Sequence, residues 1–176
     1  MSIAIGAQAP DFQLPDTDGT VWPGRSENGV TATVVVFTCN HCPYALAWHE
    51  RIAQAARDYA DRGVRFLAVN PNDATRYPSD SFEAMKQRVR SEPWPMPYLR
   101  DESQEVARAY DAKTTPDVFV LDAQDRLVYR GAPDGDYDDP AQNAAWLREA
   151  LDAALAGSQP ARSETRPVGC SIKWKR

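Results

Sequence analysis

The sequence predicts an α/β fold in which one mixed β-sheet carries helices on both faces. Three observations predict it. The run Thr31-Ala32-Thr33-Val34-Val35-Val36-Phe37 is rich in β-branched residues and apolar on both sides, as a central strand covered on two faces must be. Amphipathic segments of helical length alternate with such runs, which calls for crossover connections. Near the end, two short strands follow each other across a turn, which joins them as an antiparallel hairpin.

The elements follow in order. Residues 1–30 are rich in Gly, Pro and Asp, and read as short extended pieces around an Asp18-Gly19 turn. After the strand at 31–37, residues 43–62 form a helix, with Pro43 at its first position and Gly63 past its end. Leu46, Ile52, Ala53, Ala56 and Tyr59 share its apolar stripe. Val64 to Val69 is the next strand. Asn70 to Ser79 is a polar loop, and Asp80 to Arg90 a helix whose Asp80 and Glu83 have capping-box spacing. Pro93, Pro95 and Pro97 interrupt the chain. Ser103 to Tyr110 is a short helix, Asp117 to Leu121 a strand, and Leu127 to Arg130 its hairpin partner. Ala141 to Ala156 is the last helix, ended by Gly157. Residues 1–157 are thus expected to form one domain. Residues 158–176 are expected to be a linker and tail, in which Val168, Cys170, Ile172 and Trp174 alternate with polar residues and dock as a strand.

Composition limits the function. A chain of 176 residues with a formal charge of -5 is a poor match for phosphate-mediated nucleic-acid binding. No run approaches the roughly 18 apolar residues of a membrane helix, so no membrane partner is expected. Met1 to Ala7 has neither a basic start nor a long apolar stretch, which predicts no secretory signal and a cytoplasmic protein. The segment after Pro160 carries a net +4 and is expected to pack on the acidic body rather than on an external anion. Three cysteines are too few for a disulfide scaffold, so their spacing points to catalysis or metal binding.

Cys39-Asn40-His41-Cys42-Pro43 leaves the buried strand and enters a helix. Two thiols at this spacing, at a strand-to-helix turn, can close a disulfide without moving the backbone. Cys39 is expected at or just before the helix start, where the positive end of the helix favours its thiolate, with Cys42 one turn in as the resolving thiol. His41 between them either tunes the thiolate or points to solvent. Thr114-Thr115-Pro116 precedes the strand at Asp117, a position where proline is acceptable in trans.

Together, Ala9-Pro10-Asp11-Phe12 with its Asp18-Gly19 turn, Cys39-Asn40-His41-Cys42-Pro43 and Thr115-Pro116-Asp117 resemble the thioredoxin superfamily. The closer resemblance is to its peroxiredoxin-like branch, the redoxin and alkyl hydroperoxide reductase/thiol-specific antioxidant type. The Gly169-Cys170-Ser171-Ile172-Lys173-Trp174 ending resembles a subgroup of redoxin-like proteins with this CxxCP. The resemblance implies a thioredoxin-like fold with an N-terminal redoxin-type extension, and a thiol–disulfide oxidoreductase without a cofactor. It further implies an attacking Cys39, a resolving Cys42 and a cis Pro116 that seats the partner's disulfide. The partners implied are a disulfide-bearing protein or a small thiol or peroxide substrate, and a thiol electron-donor system. A partner groove is expected beside the sulfurs at Thr38, Thr115 and Asn72, with Asp73 next to it. The peroxidase signature Pro-x-x-x-Thr-x-x-Cys is absent: counting back from Cys39 gives Val36 and Ala32, and from Cys42 it gives Cys39 and Val35. Thiol-dependent peroxide reduction is therefore the alternative activity, and a metal- or partner-binding domain a further one.

Other residues also carry groups capable of redox or metal chemistry. Cys170 is either a third redox thiol or a buried structural one. A zinc site on Cys39, Cys42, His49 and Cys170 is disfavoured, because His49 lies seven residues beyond Cys42 along a helix. Soft thiolates suit Cu(I) somewhat better. Asp134-Gly135-Asp136-Tyr137-Asp138-Asp139 fails the calcium-loop pattern and reads as a solvated acidic loop.

Overall fold

The computed structural model describes residues 2–176; Met1, the first residue of the N-terminal stretch read above, lies outside them. The short strands β1 (Gln13–Pro15) and β2 (Val21–Pro23) pair antiparallel. The central strand β3 (Ala32–Phe37) is followed by helix α1 (Pro43–Tyr59), a 3-10 turn at Ala60–Arg62 and β4 (Val64–Asn70). Helix α2 (Phe82–Ser91), β5 (Tyr98–Arg100) and helix α3 (Glu105–Ala109) come next. Then follow β6 (Thr114–Thr115), β7 (Asp117–Leu121), β8 (Leu127–Gly131), helix α4 (Ala145–Leu155) and β9 (Cys170–Ser171).

The main sheet runs β5-β4-β3-β7-β8. Strands β3, β4 and β5 are parallel, and β7 and β8 antiparallel, so the sheet is mixed as expected. Successive residues of β3 face two cores. Val34 and Val36 pack with Trp48 and Ile52 of α1, Met85 of α2 and Leu147 and Leu151 of α4. Val35 and Phe37 pack on the other face with Phe12, Leu14, Val106 and Tyr110. Burial on both sides is what the unbroken apolar run encodes. Gly63 ends the α1 region with a left-handed φ of 78°, and a side chain there would crowd the Gly29 carbonyl and Thr31.

Several boundaries differ from expectation for identifiable reasons. α2 begins after Ser81, whose hydroxyl caps Ala84 N–H, so Asp80 is not the cap. β5 sits just behind the three prolines, where periodicity has too few residues to register. α4 starts four residues late, because Ala144 has φ 62° and its N–H is taken by Asp134. The acidic loop is not uniformly solvated: Asp134 is buried and accepts from Trp48 Nε1 and Arg51. The stretch read as a linker is held along β8, with Thr165 bonded to Arg130, Tyr129 and Ala132. None of the described helices is long and apolar enough to cross a membrane.

The tail docks, though its paired strand is only two residues long. β9 pairs antiparallel with β6, Thr115 opposite Cys170. Ile172 is buried in the second core. Lys173 N–H donates to Asn72 Oδ1 at 2.9 Å, and its carbonyl accepts from Gln104 Nε2 at 2.8 Å.

Candidate functional site

The end of β3, the start of α1, and the β6 and β9 strands meet at the three cysteines. All three are free thiols; Cys39 and Cys42 are fully buried and Cys170 is half-buried. Cys42 is the N-cap of α1 and Pro43 its first residue. This corrects the expected placement: Cys39 lies three residues ahead of the cap, and Cys42 is not one turn in. The positive helix end and its unpaired N–H groups therefore act on Cys42.

Thr115 joins the sulfurs. Its hydroxyl lies 3.3 Å from Cys39 Sγ, and its carbonyl accepts from the Cys42 thiol at 3.1 Å. The Thr115-Pro116 peptide bond is cis. The ionisation of each thiol depends on the other, so they titrate as a pair. A hydrogen bond from the Cys39 thiol, helped by a smaller one from Cys170, holds Cys42 down to about 4 against its burial. Donating that bond, together with burial, pushes the Cys39 thiol far up. The Thr115 hydroxyl and His41 N–H pull it back, while the charge of Asp80 pushes it further up. The lowered thiol in this geometry is thus Cys42, where the sequence suggested Cys39.

His41 does not merely face solvent. Its Nδ1 lies 2.5 Å from Asp80 Oδ2, a close contact outside hydrogen-bond geometry. The ring stacks on Tyr77 with centroids 5.7 Å apart and planes 3° apart. Asp80 is fully buried. Its Oδ1 accepts from Asn40 N–H at 2.7 Å and Asn70 Nδ2 at 3.1 Å, and its Oδ2 from Asn72 Nδ2 at 3.0 Å. Arg88 fixes the turn by donating to the Cys39 carbonyl at 3.0 Å, and Tyr98 hydroxyl donates to Asn40 Oδ1 at 2.8 Å.

Sequence reasoning missed Asp80, Asn70, Arg88 and Tyr98. The available signal was the Asp80-Ser81 pair: when serine caps a helix, the aspartate before it is free for other work. Asn72 is buried and spent on Asp80 and Lys173, so it holds the tail rather than lining an open groove. Asp73 is likewise buried, its N–H on the Lys173 carbonyl. Thr38 is buried with its N–H on the Val69 carbonyl. His49 packs against Trp94, with ring centroids 4.4 Å apart. Cys39, His41 and Asp80 each place one metal-ligand type atom within 4.8 Å of the others. With Asp80 already accepting three amide bonds, the group is foremost a hydrogen-bond network that fixes the turn.

The AhpC/TSA family model matches residues 5–130. The chain belongs to the AhpC/TSA family. An uncharacterized conserved protein from Geobacillus kaustophilus is 42% identical over 98% of this chain and 93% of its own, with a TM-score of 0.92. A hypothetical protein from Sinorhizobium meliloti 1021 is 37% identical over 99% and 97%, also with a TM-score of 0.92. A putative thiol:disulfide interchange protein DsbE from Chlorobium tepidum shares the fold at 23% identity and a TM-score of 0.72, over 88% of this chain and 99% of its own. No curated protein matches the chain. As an AhpC/TSA family member the chain has the thioredoxin-like fold, and its CxxC lies at the strand-to-helix turn.

Proposed function

We propose that this protein is a thiol–disulfide oxidoreductase that cycles Cys39 and Cys42 between dithiol and disulfide. The observation that carries the reading is two buried thiols at the strand-to-helix turn, both hydrogen-bonded to Thr115 beside the cis Pro116. Starting from the form with one proton on the pair, Cys39 attacks a substrate disulfide while its proton passes to Cys42. A mixed disulfide forms, and the first substrate thiolate leaves and takes a proton from water. Cys42 then attacks Cys39 Sγ and gives its proton to the second leaving thiolate. The pair is oxidised, the substrate reduced, and no cofactor is needed. The substrate class is a disulfide-bearing protein or small disulfide, and a thiol donor resets the site. Replacing either Cys39 or Cys42 with serine is expected to abolish insulin reduction; unchanged reduction in Cys39→Ser overturns the reading.

Membership of the AhpC/TSA family supports a second reading, thiol-dependent peroxide reduction. There the thiolate takes one peroxide oxygen to become a sulfenic acid and releases an alcohol or water, and the other thiol condenses with it, releasing water. Peroxide consumption that requires both cysteines supports this reading. No consumption with any thiol donor removes it.

A further inference from the structure

The site contains a third thiol that neither reading uses. Cys170 packs directly on the Cys39–Cys42 pair. Its placement is built rather than accidental. β9 adds to β6 with Cys170 opposite Thr115, the residue whose carbonyl accepts from Cys42. The preceding Gly169 lies flat on the same peptide: a Cβ there would stand 2.3 Å from the Thr115 oxygen and 2.7 Å from its carbonyl carbon. Beyond Cys170, Ile172 is buried and Ile172 N–H donates to the Lys113 carbonyl at 3.2 Å. Lys173 and Lys175 are then tied to Asn72 and Gln104. The tail therefore covers the edge beside the reactive sulfurs with an extended strand that carries a cysteine. That is how a protein substrate adding a strand to this edge would present its own sulfur.

We infer that Cys170 is a resident third redox thiol, which exchanges with the Cys39–Cys42 disulfide to form a Cys42–Cys170 disulfide. The step rests on the exchange chemistry proposed above. Cys170, as thiolate, attacks Cys42 Sγ; the Cys42–Cys170 bond forms and the Cys39–Cys42 bond breaks. The electron pair leaves on Cys39, which takes up a proton equivalent to the one Cys170 lost. Nothing is oxidised or reduced overall, so no further oxidant is required. Burial, and then the neighbouring Cys42, push the Cys170 thiol up to about 11 in the reduced protein. The contribution from Cys42 vanishes once Cys42 is locked in a disulfide, so oxidation of the pair removes the smaller of the two obstacles to ionising Cys170. The exchange leaves Cys39 as a free thiol and fastens the tail over the edge, closing the site to partner strands.

The test uses the full chain in glutathione redox buffers, quenched with acid and mapped by mass spectrometry without reduction. Oxidised wild type is expected to give two linked species, Cys39–Cys42 and Cys42–Cys170. Cys39→Ser is expected to give an internal Cys42–Cys170 disulfide in the monomer, on the order of tenfold or more over the glutathione adduct of Cys42, because a docked thiol has a high effective concentration. Cys39→Ser/Cys170→Ser is expected to carry glutathione on Cys42 instead. Cys39→Ala repeats the measurement should serine disturb the packing. If wild type forms Cys39–Cys42 but both Cys39 variants leave Cys170 free, the third-thiol inference fails and the oxidoreductase reading stands. If wild type forms no Cys39–Cys42 disulfide, the oxidoreductase reading fails and takes the third-thiol inference with it.

Discussion

Cys42 Sγ and the Thr115 carbonyl oxygen lie 3.1 Å apart across 73 residues of sequence. Through its hydroxyl and its strand pairing, the same Thr115 also meets Cys39 and Cys170. One residue thus organises all three thiols. Thr115→Val keeps the shape and removes the hydroxyl that helps Cys39 ionise. Disulfide reduction is expected to slow by roughly threefold to tenfold, the worth of one hydrogen bond of about 1 kcal/mol. An unchanged rate would separate the hydroxyl from the chemistry.

The mutual dependence of the two thiols predicts an unusual pH profile. One thiolate of the reduced pair is expected below the ordinary thiol range, because Cys39 favours the Cys42 anion. Thiolate absorbance at about 240 nm in the reduced protein, which needs no access to the buried sulfurs, is expected to persist at pH 6, where an ordinary thiol of pKa about 8.5 is almost wholly protonated. A single absorbance midpoint at about 8.5 would contradict this coupling of the two thiols.

Asp80→Asn separates structure from electrostatics. The new amide would turn a donor toward Asn72 Nδ2, which already donates there at 3.0 Å. Donor facing donor costs about 1–3 kcal/mol, so the melting temperature is expected to drop by several degrees. Loss of the negative charge that pushes the Cys39 thiol up should also stabilise the reduced pair. The reduction potential is therefore expected to become less negative. A more negative potential would refute this account of Asp80.

Asp117 sets a pH dependence of stability. It is fully buried beside the site strand, and burial pushes its carboxyl up to about 7. A carboxyl whose folded pKa lies above its unfolded value binds a proton more tightly when folded. Stability from this group is therefore full below about pH 4 and declines as pH rises toward about 7, by up to about 4 kcal/mol. Asp117→Asn, which keeps an acceptor for Lys113 N–H, should be more stable than wild type at pH 8 and should flatten that decline. Equal pH slopes in urea unfolding of the two proteins would contradict the assignment.

Gly169→Ala tests the docking of the tail alone. The new methyl would collide with the Thr115 carbonyl, so β9 should lift away. Trypsin cleavage after Lys173 is expected to accelerate by tenfold or more, on the order of the roughly 1–3 kcal/mol that overpacking costs. Equal cleavage rates would mean that the strand is already open in solution.

The sequence by itself determined the order of the longer elements, the central strand, the start of α1 and the CxxC at the strand-to-helix turn, but not β5. These rest on signals confined to a few neighbouring residues: side-chain periodicity, Pro43 at a helix start and Gly63 past its end. The alternating tail likewise announced a docking strand. Only the tertiary structure decided the rest. Asp80 looks like a cap locally, and becomes the anchor of His41 because Ser81 takes the cap and the turn folds Asn40, Asn70 and Asn72 around its carboxylate. Asn72 looks like a loop residue open to a partner, and is consumed by the tail 101 residues away. Which thiol is lowered depends on a helix start one position after Cys42 and on hydrogen bonds from Cys39 and Cys170. Local signals set where the backbone turns. The partners of a buried polar group come from distant parts of the chain, so packing alone assigns them.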